Sequence, residues 1–190
     1  MVVFRQRAVA ASLFPLLLAC SGLPLSPIDP EHEAKVKQMG PENPEVPVGP
    51  LHRPGQSCIV CHSSGHEDPV FSVAGTVCRD IMTSLPLPDV EVLLVDSQAR
   101  TFTAHTNCVG NFYVSPGEFT PVSPLWVSLR IGDEKIEMES PIHREWSCAG
   151  CHTDPPAPAS AGRVFMTADE VVAAQLPTRP CRPDEGNRQR

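Results

Sequence analysis

Leu125-Trp126-Val127-Ser128-Leu129-Arg130-Ile131, the pair Gly132-Asp133, and then Lys135-Ile136-Glu137-Met138-Glu139 form the stretch that decides the fold. In its first half Val127, Leu129 and Ile131 point one way while Ser128 and Arg130 point the other. In its second half Ile136 and Met138 alternate with Lys135, Glu137 and Glu139. A period of two means strands with one buried and one solvated face, here joined by a tight turn. Working outward, short β-branched runs recur at Val70–Cys78, Val90–Val95, Thr101–Thr106 and Asn111–Val114. Turn-formers separate them, notably Leu85-Pro86-Leu87-Pro88-Asp89 and Val109-Gly110. Gly110 stands where a turn needs a positive φ or a close backbone approach. Phe112 and Val114 are expected in the core. Six short strands without intervening helices predict a mainly β fold, a small antiparallel sandwich over residues 70–139.

On either side of this block lies the same pentapeptide pattern: Cys58-Ile59-Val60-Cys61-His62 and Cys148-Ala149-Gly150-Cys151-His152. Cys-x-x-Cys-His is the spacing for covalent attachment of a c-type haem. Two thiols separated by two residues can add to the two vinyl groups of one porphyrin, and the adjacent imidazole can then reach the iron. In these ten residues the chain resembles the cytochromes c. The resemblance implies two covalent haem c groups, with Cys58, Cys61, Cys148 and Cys151 as thioether anchors and His62 and His152 as proximal ligands. Local candidates for the distal position are His52 and His66 at the first motif, in residues 51–69. At the second, which spans residues 140–176, they are His143 and, just ahead of that segment, Met138. Met ligation would raise the potential relative to two histidines. His32 and His105 read as bystanders, and Trp126 and Trp146 as packing residues, Trp146 being near enough in sequence to stack on a second porphyrin. Two other chemistries fit the same cysteines: a structural zinc site of four thiolates, or of three thiolates and one imidazole, and a pair of redox-active dithiols. Because both motifs bracket the sandwich, the two sites are expected near each other at one end of it.

The strand block carries a second resemblance. Ala74-Gly75-Thr76-Val77, Leu87-Pro88-Asp89-Val90-Glu91-Val92-Leu93-Leu94 and Thr106-Asn107-Cys108-Val109-Gly110-Asn111-Phe112-Tyr113 are similar to the carboxypeptidase regulatory-like domain. That family implies a transthyretin-like sandwich with Greek-key connections, used as a scaffold or binding module. It implies no peptidase activity, and these residues supply no nucleophile with a base. The chain departs from the family in carrying Cys78 and Cys108. A disulfide between them would staple two distant segments; bonding of either to Cys181, or two unbridged thiols, are the alternatives.

The N-terminus reads as an export signal. Arg5 and Arg7 precede an apolar run from Ala8 to Ala19, too short to span a bilayer as a helix. It closes on Leu17-Leu18-Ala19-Cys20-Ser21-Gly22, which resembles the bacterial lipobox. The resemblance implies cleavage after residue 19, a lipid-modified Cys20 and anchoring in the cell envelope, at the outer membrane in a Gram-negative host. An ordinary cleavage near Ala19, with Cys20 a thiol, is the alternative. Residues 20–50 are proline-rich and predict a stiff tether, with one or two helical turns at Glu31–Met39. Thr167-Ala168-Asp169-Glu170 reads as a capping box opening a short helix to Leu176, and residues 177–190 as a disordered tail. The net charge of −7 offers no footprint for nucleic acid. Two function classes emerge: an exported electron-transfer lipoprotein with a protein redox partner, and a non-redox scaffold lipoprotein holding zinc or disulfides. A peroxidase-like di-haem enzyme is a third, and requires one open distal position.

Overall fold

The computed structural model describes residues 29–46, 48–66, 69–153 and 158–185. The export signal and Cys20 lie outside the described residues. Among the described residues eight short strands supply most of the regular secondary structure: β1 (Val73–Thr76), β2 (Cys78–Asp80), β3 (Glu91–Asp96), β4 (Thr101–His105), β5 (Asn111–Val114), β6 (Leu125–Ile131), β7 (Glu134–Glu137) and β8 (Phe165–Thr167). Three short α-helices accompany them: α1 (Pro30–Gln38), α2 (Cys58–Cys61) and α3 (Glu170–Gln175). The protein is a mainly β, antiparallel sandwich with a short C-terminal helix.

The larger layer has the order β4-β3-β6-β7, all neighbours antiparallel. Its centre is β3, where Val92, Leu94 and Asp96 are buried and Glu91, Leu93 and Val95 are half-buried on the other side. In the β6–β7 hairpin Leu129 lies opposite Ile136, so the expected alternation holds. Trp126 departs from its expected role: it projects from the outer face and is 44% exposed, because the strand's inward set begins at Leu125. The facing layer pairs β1 with β5, from Val73 opposite Val114 to Thr76 opposite Asn111. Between the layers Val73, Val77, Leu87, Val90, Val92, Leu94, Phe112, Val114 and Leu125 are almost wholly removed from water. Each such side chain contributes about 1.5–3 kcal/mol of burial. Gly110 has φ 77°, and a Cβ there would collide with the Val77 carbonyl.

Asp96 ties the β3–β4 turn to the chain before β6. Its carboxylate accepts from the backbone N–H of Gln98, Arg100 and Val122 and from the Arg100 guanidinium. Burial opposes the charged form. These donors outweigh it and hold the carboxyl at about 2.

The segment after the second motif differs from expectation in three respects. Phe165–Thr167 is a strand, paired parallel with β2. Thr167 is taken up in that pairing, and the α3 N-cap is Asp169, whose carboxylate accepts from Val171 and Val172 N–H. Residues 177–185 are also fixed. The buried Arg79 donates to the carbonyls of Ala173, Leu176 and Pro177, and Arg179 bridges Asp89 and Glu185. This clamp delivers Cys181 to Cys108 in the β4–β5 turn, with Cα atoms 4.9 Å apart, and the disulfide is Cys108–Cys181. The expected Cys78–Cys108 bridge is therefore wrong. Cys78 is held inside β2, between β8 and Pro86, and buried.

Candidate functional site

Both Cys-x-x-Cys-His motifs fold into the same small structure. In the first, residues 58–61 form a helical turn, and the His62 N–H donates to the Cys58 carbonyl at 2.9 Å. In the second, Cys148–Gly150 form a 3-10 turn, and the His152 N–H donates to the Cys148 carbonyl at 2.8 Å. A helical turn places side chains three and four apart on one face, so each turn gathers its two thiols and its imidazole. The likeness extends beyond the pentapeptide. Nδ1 of His62 lies 2.9 Å from the Pro69 carbonyl, and Nδ1 of His152 lies 2.9 Å from the Gly162 carbonyl. A backbone carbonyl at Nδ1 fixes the proton there and turns Nε2 into the lone-pair nitrogen. Imidazoles that bind metals are oriented this way.

One strand brings the two motifs together. β1 packs against both α2 and the Cys148 turn. Ala74 donates its N–H to the Trp146 carbonyl and bridges to Ser147. Gly75 faces Cys148 so closely that a Cβ there would lie 2.5 Å from Sγ. The thiols are within electrostatic reach of each other, since charge on Cys58 adds to what raises Cys148. Burial pushes Cys58 up to about 11 and Cys148 up to about 12. Both are therefore protonated thiols at neutral pH. Low-pKa thiolates are what a redox-active dithiol requires.

A separate cleft opens beside each motif. The first, of about 90 Å³, is lined by Cys58, Cys61, His62, His52, Phe71 and Tyr113, with Met39 at its edge. His52 and His62 have ring centroids 5.7 Å apart. Phe71 packs on His62 at 4.6 Å and on Tyr113 at 4.9 Å. His52 is steered by Gly49, whose backbone carbonyl accepts from Nδ1. The other candidate at this motif, His66, stacks on His32 of α1 at 3.6 Å and does not line the cleft. The expected tether is thus partly a wall: α1 is capped by Asp29 and docks beside α2, with Val36 and Met39 facing the first cleft. Nothing in the sequence pattern of residues 30–39 signalled that contact.

The second cleft, of about 330 Å³, is lined by Cys148, Ala149, His152, Cys78, Arg163 and Val164 on one part of its wall. Pro54, Gly55, Thr76, Ser84, Pro86 and Val109 complete it. Neither distal candidate from the sequence lines it. His143 is exposed, its carbonyl accepting from Ser123 Oγ. Met138 follows β7, its N–H donating to the Val127 carbonyl. Trp146 packs on the sandwich core. His105 is exposed on β4.

Among the described residues no three His, Cys, Asp or Glu side chains converge in the manner of a metal-ion site. No family model, no curated protein and no solved structure matches this chain.

Proposed function

We propose that the protein is an exported di-haem c-type cytochrome that transfers electrons. The observation that carries this reading is the repeated unit just described, a Cys-x-x-Cys-His turn whose histidine has its Nδ1 proton committed to a backbone carbonyl. A zinc site has no use for two such units facing separate clefts. Four thiolates on one ion would need the motifs to converge. The raised thiols weigh against dithiol redox chemistry. Haem attachment needs none of the four sulfurs to remain charged, since each becomes a neutral thioether.

In this account Cys58, Cys61, Cys148 and Cys151 anchor the two porphyrins, and His62 and His152 bind through Nε2. The Pro69 and Gly162 carbonyls hold each ring and increase its basicity. His52 would be the residue to hold the first haem from its other face, because it alone among the distal candidates shares a cleft with the motif's histidine. Each haem supplies one-electron chemistry. The protein supplies orientation, a dry wall from Phe71, Tyr113 and Val164, and proximity of the two centres across β1. The sandwich is the scaffold, as its similarity to the carboxypeptidase regulatory-like domain implies, and Cys20 is the lipid anchor that keeps the carrier at the cell envelope.

The test is haem content after denaturation. Wild type is expected to carry two covalent haems and Cys61→Ala to lose attachment at the first motif. Full haem content in that variant removes the first motif from the account.

A further inference from the structure

We infer that the second site is the ligand-accepting one: this chain offers no sixth ligand there, so a haem held by His152 would take a neutral diatomic ligand, whereas His52 would occupy that position at the first. The inference rests on the haem reading and adds a division of labour between the two sites.

The inventory of possible ligands carries it. The chain has seven histidines, and all are among the described residues. His52 and His62 share the first cleft, and His32 and His66 stack on each other. His105 and His143 are exposed away from both clefts, which leaves only His152 at the second. Of the methionines, Met166 is buried in the sandwich core and Met39 borders the first cleft. Met138 follows β7, and Met1 lies outside the described residues. Met82 stands on the loop that contributes Ser84 and Pro86 to the second cleft. Its side chain is 74% exposed, and Asp80 pins the loop by accepting from the N–H of Met82 and Thr83. Among the described residues no second imidazole or thioether therefore lines the second cleft. It is also the roomier, about 330 Å³ against about 90 Å³.

The wall chooses the class of ligand. Pro54, Pro86, Val109 and Val164 present carbon, and the polar members beside them are Cys78, Ser84 and Arg163, whose guanidinium donates to the Ile81 carbonyl. The Thr76 hydroxyl is already engaged, accepting from Gly55 N–H and donating to Asn111 Oδ1. A largely apolar wall admits a small neutral molecule at lower desolvation cost than an anion.

The experiment uses the full-length haem-loaded protein, first assayed for two haems, then reduced and titrated with carbon monoxide. The expected result is one equivalent bound per two haems, with equal high-spin and low-spin ferric signals by electron paramagnetic resonance. His52→Ala should raise the capacity to two equivalents. Two haems with two low-spin signals and no carbon monoxide binding overturns the inference and leaves the haem reading standing. Binding that emerges only in Met82→Leu or Cys78→Ser also overturns it, by identifying a sixth ligand from this chain. Absence of haem defeats the parent reading instead.

Discussion

Gly75→Ala tests how the second motif is seated. The added Cβ would lie 2.5 Å from Cys148 Sγ, 2.8 Å from Cys148 Cβ and 2.9 Å from Phe112 Cε1, all below the 3.0 Å that real contacts respect. None of these neighbours has an easy retreat. Phe112 is 2% exposed within the core. The Cys148 carbonyl is fixed by the N–H groups of Cys151 and His152. β1 itself is held by β5 and by the Ala74–Trp146 hydrogen bond. Overpacking of this kind costs about 1–3 kcal/mol, and with backbone pinned on both sides the upper half of that range is expected. For a domain with about 5–15 kcal/mol in total, the loss is readily seen in a denaturant midpoint. The displaced sulfur should also fail to form its thioether. Proteolysis and mass spectrometry should show porphyrin lost from the peptide bearing residues 148–152 and retained on the one bearing 58–62. Gly117→Ala is the control, since a Cβ there meets nothing within 4 Å. A Gly75→Ala protein with an unchanged midpoint and both peptides fully modified would refute the reasoning.

Cys181→Ser opens a crosslink spanning 73 residues. Loop-closure entropy makes this worth about 4 kcal/mol, so a fall in thermal midpoint on the order of 10 °C is expected by calorimetry; no fall would mean the clamp of Arg79 and Arg179 holds the tail unaided. Acid sensitivity should come chiefly from two carboxylates, with Asp80, Asp89 and Glu118 lowered in the same direction. The Arg179 guanidinium holds Glu185 at about 2, and Asp96 also stands at about 2, against ordinary values of 4.5 and 3.8. A depressed folded pKa adds stability above the unfolded value and loses it as pH falls. Thermal midpoints should therefore be flat above about pH 5 and decline toward pH 2, with a shallower decline in Asp96→Asn. At the first site, His52→Ala should abolish the low-spin signature of that haem while His66→Ala leaves it intact. The reverse pattern would reassign the distal ligand.

The sandwich was legible because its signal is local. Period-two alternation at Val127–Ile131 and the turn at Gly132-Asp133 announce two strands and a hairpin without reference to the rest of the chain. The motif cysteines and their histidines were legible for the same reason. What the sequence withheld depends on distant partners. β8 is three residues long and exists because β2 lies alongside it, a parallel pairing with no local signature. The disulfide is chosen by Arg79 and Arg179, which carry the C-terminal segment across the β4–β5 turn. His66 was as plausible a ligand as His52 until α1 supplied His32 to stack on it. Thr167 and Asp169 both suit an N-cap, and only the claim of β8 on Thr167 decides between them.

The most direct measurement is the intact mass of the mature exported protein, compared with the same protein expressed without haem. The account predicts a difference of two porphyrins, surviving denaturation, and one porphyrin fewer when Cys58 and Cys61 are both replaced. A mass explained by polypeptide and lipid alone would contradict it.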